Sequence, residues 1–139
     1  MTTESEPTPA PDAEGPAGLL LSRDLIFTSK VTGTARLLGG RVVVAGNSAL
    51  AVASIERLRP KVVFVDLGAG NLVNLDALRT YQGVAGAGVP FVAFGSHVDT
   101  EALAAARSAG CDPVLARSRF TADLPNLMRR YLFGEVSPR

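Results

Sequence analysis

Four short stretches hold the residues able to do chemistry: Ser22-Arg23-Asp24, Asp66-Leu67-Gly68-Ala69-Gly70, Gly95-Ser96-His97 and Arg117-Ser118. Each follows an apolar run. If those runs are neighbouring strands, carboxylates, guanidiniums and hydroxyls converge at one end of a sheet. One chemistry open to that set is ion pairing, with Asp66 held by Arg23 or Arg117. Asp24 also suits a helix N-terminus, where a carboxylate caps free N–H groups. A second chemistry is anion recognition. Gly68, Gly70, Gly95 and Ser96 would line a crevice for a nucleotide or a phosphorylated small molecule, with Arg23 and Arg117 beside it. Gly68-Ala69-Gly70 is not a P-loop, since no Gly-Lys-Ser/Thr follows, and the dinucleotide fingerprint is incomplete. Ser96, His97 and Asp99 are sequence neighbours, which is not triad geometry. They read as a polar loop capping a helix. Cys111 is the sole cysteine and reads as a small buried core residue. With no activated nucleophile and no metal-ligating cluster, no enzymatic activity is expected.

The elements that must position these residues alternate between strand and helix patterns. Leu19-Leu20-Leu21 is a first apolar run. Asp24 through Leu38 spaces Phe27, Val31, Ala35 and Leu38 as one helical face, and Gly39-Gly40 ends it. Val42-Val43-Val44, within Arg41 to Ala45, reads as a buried strand. Asn47 or Ser48 caps a helix bearing Val52, Ile55 and Leu58, stopped by Pro60. Val62 to Val65 is the third run, closed by Asp66 and followed by a Gly-rich loop. A helix around Leu75, Leu78 and Tyr81 precedes a strand over Val89 to Phe94. Asp99 or Thr100 caps an Ala-rich helix ending at Gly110. Val114 to Ala116 is a fifth strand, and Thr121 to Leu132 a last amphipathic helix with Leu124, Leu127, Met128 and Tyr131 on its apolar face. Five strand–helix repeats with buried strands predict a doubly wound five-stranded parallel sheet of flavodoxin-like order 2-1-3-4-5. In such a sheet, ligands bind beyond the carboxyl ends of the strands, where the four polar stretches lie.

Composition narrows the functional classes. The 139 residues suit one domain, predicted over 18–133. Residues 1–17 read as a disordered, Pro-rich acidic tail and 134–139 as a short C-terminal tail. Lys and Arg number 14 against 13 Asp and Glu, a balance that gives no electrostatic footprint for nucleic acid. The one tight basic group, Arg57, Arg59 and Lys61, reads as a solvated helix end. No run approaches the length of a membrane span. A single cysteine excludes an intrachain disulfide and fits a reducing cytoplasm.

In Pro60-Lys61-Val62-Val63-Phe64-Val65-Asp66-Leu67, Pro90-Phe91-Val92-Ala93-Phe94-Gly95-Ser96 and Ala109-Gly110-Cys111-Asp112 through Arg117 and Phe120, the sequence resembles the response-regulator receiver (CheY-like) family over residues 18–133. The resemblance implies a protein of two-component, bacterial-type signalling. It places Asp66 at the phosphoacceptor position and Asp24 at one of two acidic positions that bind Mg2+, with Arg23 at the other. Gly95 stands where the family has Thr or Ser, Ser96 one step later. Arg117 replaces the family's lysine and Ser118 the proline after it. Asp24, Asp66 and the Gly68 carbonyl would supply three oxygens to Mg2+, while Arg23 brings a fixed charge to the same place. Arg23, Gly95, Ser96 and Arg117 are thus the candidates for phosphate contact and switching. The resemblance further implies a protein partner, a sensor kinase or a downstream effector, docked on the fourth and fifth helices, where a homodimer would also form. The chain ends shortly after its last helix, so a stand-alone atypical receiver is expected rather than a DNA-binding regulator.

Overall fold

The computed structural model describes residues 15–135. The chain alternates through β1 (Ala17–Leu21), α1 (Leu25–Leu37), β2 (Arg41–Ala45), α2 (Ser48–Leu58), β3 (Val63–Asp66), a 3-10 segment (Leu67–Val73), α3 (Leu75–Ala85), β4 (Phe91–Gly95), α4 (Thr100–Ser108), β5 (Val114–Ala116), α5 (Arg117–Ala122), α6 (Leu124–Leu127) and a terminal π-helical turn (Met128–Leu132). All strand pairs are parallel and the order is β2-β1-β3-β4-β5, as expected for the doubly wound sheet.

Side-chain alternation divides the core between the two sheet faces. Leu19, Leu21, Val63, Val65, Phe91 and Ala93 pack under α2, α3 and α4, against Ile55, Leu78, Tyr81 and Ala106. Leu20, Phe64, Val92 and Phe94 face α1 and the C-terminal helices, against Phe27, Val31, Phe120, Leu124 and Met128. The aromatic content is low, yet four of the six Phe residues meet on this second face. The Phe94 and Phe120 rings stack with centroids 4.0 Å apart, Phe27 lies 5.0 Å from Phe94, and Phe64 meets Phe120 edge-on at 5.6 Å. Each such pair contributes about 0.5–1.5 kcal/mol beyond its buried area.

The helices start where the sequence provides a cap. The Asp24 carboxylate accepts the Phe27 N–H, Asn47 the Leu50 N–H, Asn74 the Ala77 N–H and Asp99 the Ala102 N–H. α1 buries Phe27, Val31 and Ala35 as one stripe, and Leu38 is its C-cap. α2 ends in Arg59, held at φ +50 just before Pro60.

Four sequence expectations shift. β2 is an edge strand, so its valines are unevenly covered: Val42 is buried, while Val44 on the same face is 36% exposed. The Gly-rich stretch after Asp66 is wound into 3-10 turns, kinked at Gly70 with φ +64, a conformation glycine tolerates. The helical stretch expected over Thr121 to Leu132 begins earlier, at Arg117 directly on β5, and is divided into α5, α6 and the terminal π-helical turn. Ala17 already belongs to β1, where its carbonyl accepts the Lys61 N–H, so the predicted tail is shortened at that end; its residues 1–14 and residues 136–139 lie outside the described part.

The 3-10 segment is fixed from two sides. The buried Tyr81 hydroxyl donates to the Leu72 carbonyl at 2.7 Å, and a Cβ built on Gly95 would lie 3.1 Å from the Leu67 Cβ. Tyr81→Phe leaves that carbonyl without its donor. A loss of about 1–2 kcal/mol in urea unfolding is expected, with faster amide exchange confined to Leu67–Val73. Gly95→Ser forces Leu67 aside and is expected to cost about 1–3 kcal/mol. An unchanged unfolding midpoint in either variant contradicts this anchoring.

Candidate functional site

β3 ends in a carboxylate that the fold buries. Asp66 continues the side-chain alternation of Phe64, so it emerges on the α1 and α5 side of the sheet at its carboxyl end. It is 2% exposed, and burial of an ionised group is tolerated only when it is paired and hydrogen-bonded. Three groups meet that demand. The Ser22 hydroxyl donates to Oδ2 at 2.7 Å, the Gly68 N–H to Oδ1 at 2.9 Å, and Arg117 Nη2 to Oδ1 at 3.1 Å. Ser22 reaches Asp66 because of register: Leu21 pairs with Val65, and the next rung is Ser22 beside Asp66. Gly68 lets the backbone approach closely, since a Cβ there would lie 3.2 Å from Asp66 Oδ1.

Arg117 spans the mouth of the site. Its Nη1 lies 3.6 Å from Asp24 Oδ2 while Nη2 holds Asp66, so one planar fork joins both carboxylates. The guanidinium is seated on aromatic rings, its Cζ 4.7 Å from the Phe27 centroid and 5.7 Å from that of Phe94. Asp24 is tied in turn, with Oδ1 taken by the Phe27 N–H and its own N–H donating to the Ser22 hydroxyl at 3.2 Å. The Asp66 pocket is therefore a closed network of Ser22, Asp24, Asp66, Gly68 and Arg117.

The other sequence candidates stand apart from it. Arg23 turns toward backbone: Nε donates to the Gly46 carbonyl at 2.9 Å and Nη1 to that of Ala69 at 3.2 Å. It forms no ion pair with Asp24 or Asp66 among the described residues. Instead of entering the cation position it clips the β2–α2 loop to the 3-10 segment. Gly95 faces Leu67, not the carboxylate. Ser96 is exposed, and its hydroxyl accepts the Val98 N–H within its own turn. Neither contacts Asp66, because β4 alternation sends Gly95 to the opposite sheet face and the chain leaves the sheet at Ser96. The glycines do not share a crevice either. Gly70 borders an apolar cavity of about 230 Å3 with Leu67, Val73, Leu78, Ala102 and Ala106, which offers no charge to a phosphate. His97 is exposed, and burial pushes the Cys111 thiol up to about 11, away from thiolate chemistry.

Sequence reasoning left three contributors unassigned: the roles of Ser22, Phe27 and Phe94. Ser22 was recoverable from strand register. The aromatic seat was not, since it depends on where α1 crosses the sheet.

Mg2+ takes near-octahedral oxygen ligands at roughly 2.0–2.1 Å. The residues expected to supply them do not fit that geometry as arranged. Both Asp66 oxygens are engaged, Gly68 meets Asp66 through its N–H, and the Arg117 guanidinium bridges Asp24 and Asp66. Among the described residues no group of three or more His, Cys, Asp or Glu side chains is placed to hold a metal.

No protein-family model matches the sequence, and no curated protein does. Solved structures do match in fold. The receiver domain of a sensor histidine kinase from Pseudomonas aeruginosa, crystallised with magnesium in its active-site cleft, is 24% identical with a TM-score of 0.70, over 86% of this chain and 98% of that one. A response regulator from Thermotoga maritima is 18% identical with a TM-score of 0.71, over 86% and 98%. The receiver domain of a Saccharomyces cerevisiae response regulator, co-crystallised with a histidine phosphotransfer protein, is 16% identical with a TM-score of 0.71, over 86% and 90%. In strand order and element sequence, this chain has the fold of the response-regulator receiver (CheY-like) domains.

Proposed function

We propose that this chain is an atypical receiver-like signalling protein that acts by engaging a protein partner, in a state set by its own ion pairs rather than by a phosphoryl group. The carrying observation is Asp66: 2% exposed, with both oxygens already accepting hydrogen bonds. A phosphoacceptor must present an accessible oxygen to an incoming phosphorus, and this carboxylate is buried, with three of its four lone-pair positions already taken by hydrogen bonds. Of the residues expected to contact a phosphoryl group, Arg23 is on two carbonyls and Ser96 is in its own turn, while Arg117 is engaged in bridging Asp24 and Asp66.

The fold supports a proposal for the partner class. In the yeast complex the matched receiver domain was crystallised with a phosphotransfer protein, and a kinase-side or downstream effector protein is the class proposed here. The apolar face of the last helices offers little to it, since Leu124 and Met128 are buried. Of the large apolar side chains exposed among the described residues, Leu25 and Ile26 in the first turn of α1, Leu50 in that of α2 and Val98 after β4 lie at the carboxyl end of the sheet. Their placement supports contact at the mouth of the Asp66 pocket rather than on α4 and α5. The protein is proposed to be a binding module and not an enzyme, since its one thiol is buried and the Ser22 hydroxyl is itself buried, donating to a carboxylate that is already ion-paired. Among the described residues no helix is long and apolar enough to cross a membrane, and a lone cysteine suits a cytoplasmic setting.

Incubation with acetyl phosphate and Mg2+, followed by intact mass measurement, is expected to leave the mass unchanged. A stable adduct of one phosphoryl group, absent in Asp66→Asn, overturns this reading.

A further inference from the structure

We infer that the Arg117 guanidinium is a permanent internal substitute for a divalent cation, so that the pocket needs no metal while Arg117 is present and becomes a cation site when its charge is removed. This rests on the reading of the pocket as a fixed ion-pair site. Two carboxylates on different elements, Asp24 before α1 and Asp66 at the end of β3, are brought together with nothing else of positive charge between them. Such an arrangement brings two negative charges to one site, and a cation between them offsets their repulsion. Arg117 provides one by geometry. Its planar fork reaches Asp66 at 3.1 Å and Asp24 at 3.6 Å, and a fixed-charge guanidinium suits bidentate bridging better than a flexible ammonium.

Three further observations make the substitution permanent. The guanidinium rests on the Phe27 ring at 4.7 Å and near that of Phe94 at 5.7 Å, so packing as well as charge holds it. Arg117 opens α5 immediately after β5, which pins its backbone to the sheet edge. The neighbouring cation Arg23 is committed to the Gly46 and Ala69 carbonyls. The outer part of the site is open, with the Asp24 side chain 45% and that of Arg117 38% exposed. Removing the guanidinium therefore leaves the buried Asp66 carboxylate next to the half-exposed Asp24, with the space of the lost charge reachable from solvent.

The test uses the full chain, wild type and two variants. Arg117→Met keeps a long apolar side chain on the Phe27 ring without the charge, and Arg117→Gln keeps polarity without the charge. Without metal, both are expected to melt about 10 °C below wild type, since an uncompensated buried carboxylate remains. Millimolar Mg2+ is expected to restore at least half of that loss in the variants and to leave the wild-type melting temperature unchanged. In amide NMR spectra, Mn2+ is expected to broaden Asp24, Asp66 and Gly68 selectively in the variants and not in wild type. If a variant does not fold without metal, Mg2+ must restore its circular-dichroism spectrum. Selective Mn2+ broadening in wild type, or variants indifferent to both ions, overturns the inference. An Asp66 phosphoryl adduct in a wild type that binds no Mn2+ sinks the functional reading above and leaves this one standing.

Discussion

A single buried carboxylate sets the terms for the carboxyl end of this sheet. Asp66 stands at the end of the central strand β3, with β1 on one side and β4 on the other, and solvent barely reaches it. An unpaired charge at such depth would cost several kcal/mol after relaxation. Each surrounding element contributes to meeting that demand: β1 through Ser22, the 3-10 segment through the Gly68 N–H, and the start of α5 through Arg117. The same interactions extend outward. The Ser22 hydroxyl also accepts the Asp24 N–H, and Asp24 in turn caps α1. Strand register, one helix start and one loop conformation are thus tied to one charge.

The aromatic cluster supplies the other half of that economy. With no Trp in the chain, the face of the sheet under α1 and α5 is filled by Phe27, Phe64, Phe94 and Phe120. Those rings do two things at once. They form the core that α1 and the C-terminal helices pack on, and they give the Arg117 side chain a flat apolar seat beneath the carboxylates. A guanidinium is weakly hydrated and stacks on rings, so desolvating it there costs less than desolvating an ammonium. The chain has the fold of the receiver domains. In its pocket, the two acids expected to serve a metal face a guanidinium instead.

Much of this was legible before any coordinates. Val62 to Val65 closed by Asp66 announced a buried central strand with an acid at its functional end, and Asp24, Asn47 and Asp99 announced the helix starts they cap. Convergence of Asp24, Asp66 and Arg117 followed from the parallel sheet alone. The sequence did not say which arginine would close the pocket. Arg23 is the nearer to Asp24 in sequence, yet it is aimed at Gly46 and Ala69, while Arg117 arrives from the far side of the sheet. That choice is made by side-chain direction at the end of a strand, where one residue decides the face. The 3-10 winding after Asp66 was hidden for a similar reason. Two glycines within three residues look like a loop until Tyr81 and Leu67 are seen to hold them.

The most direct measurement of the central claim is the coupling free energy between Asp66 and Arg117, from urea unfolding of wild type, Asp66→Asn, Arg117→Met and the double variant. Residues bound in one buried network are expected to couple by about 1.5–3 kcal/mol, with the double variant losing much less than the sum of the single losses. Additive losses, with coupling below about 0.5 kcal/mol, would show that the guanidinium does not balance the buried carboxylate and would contradict the account.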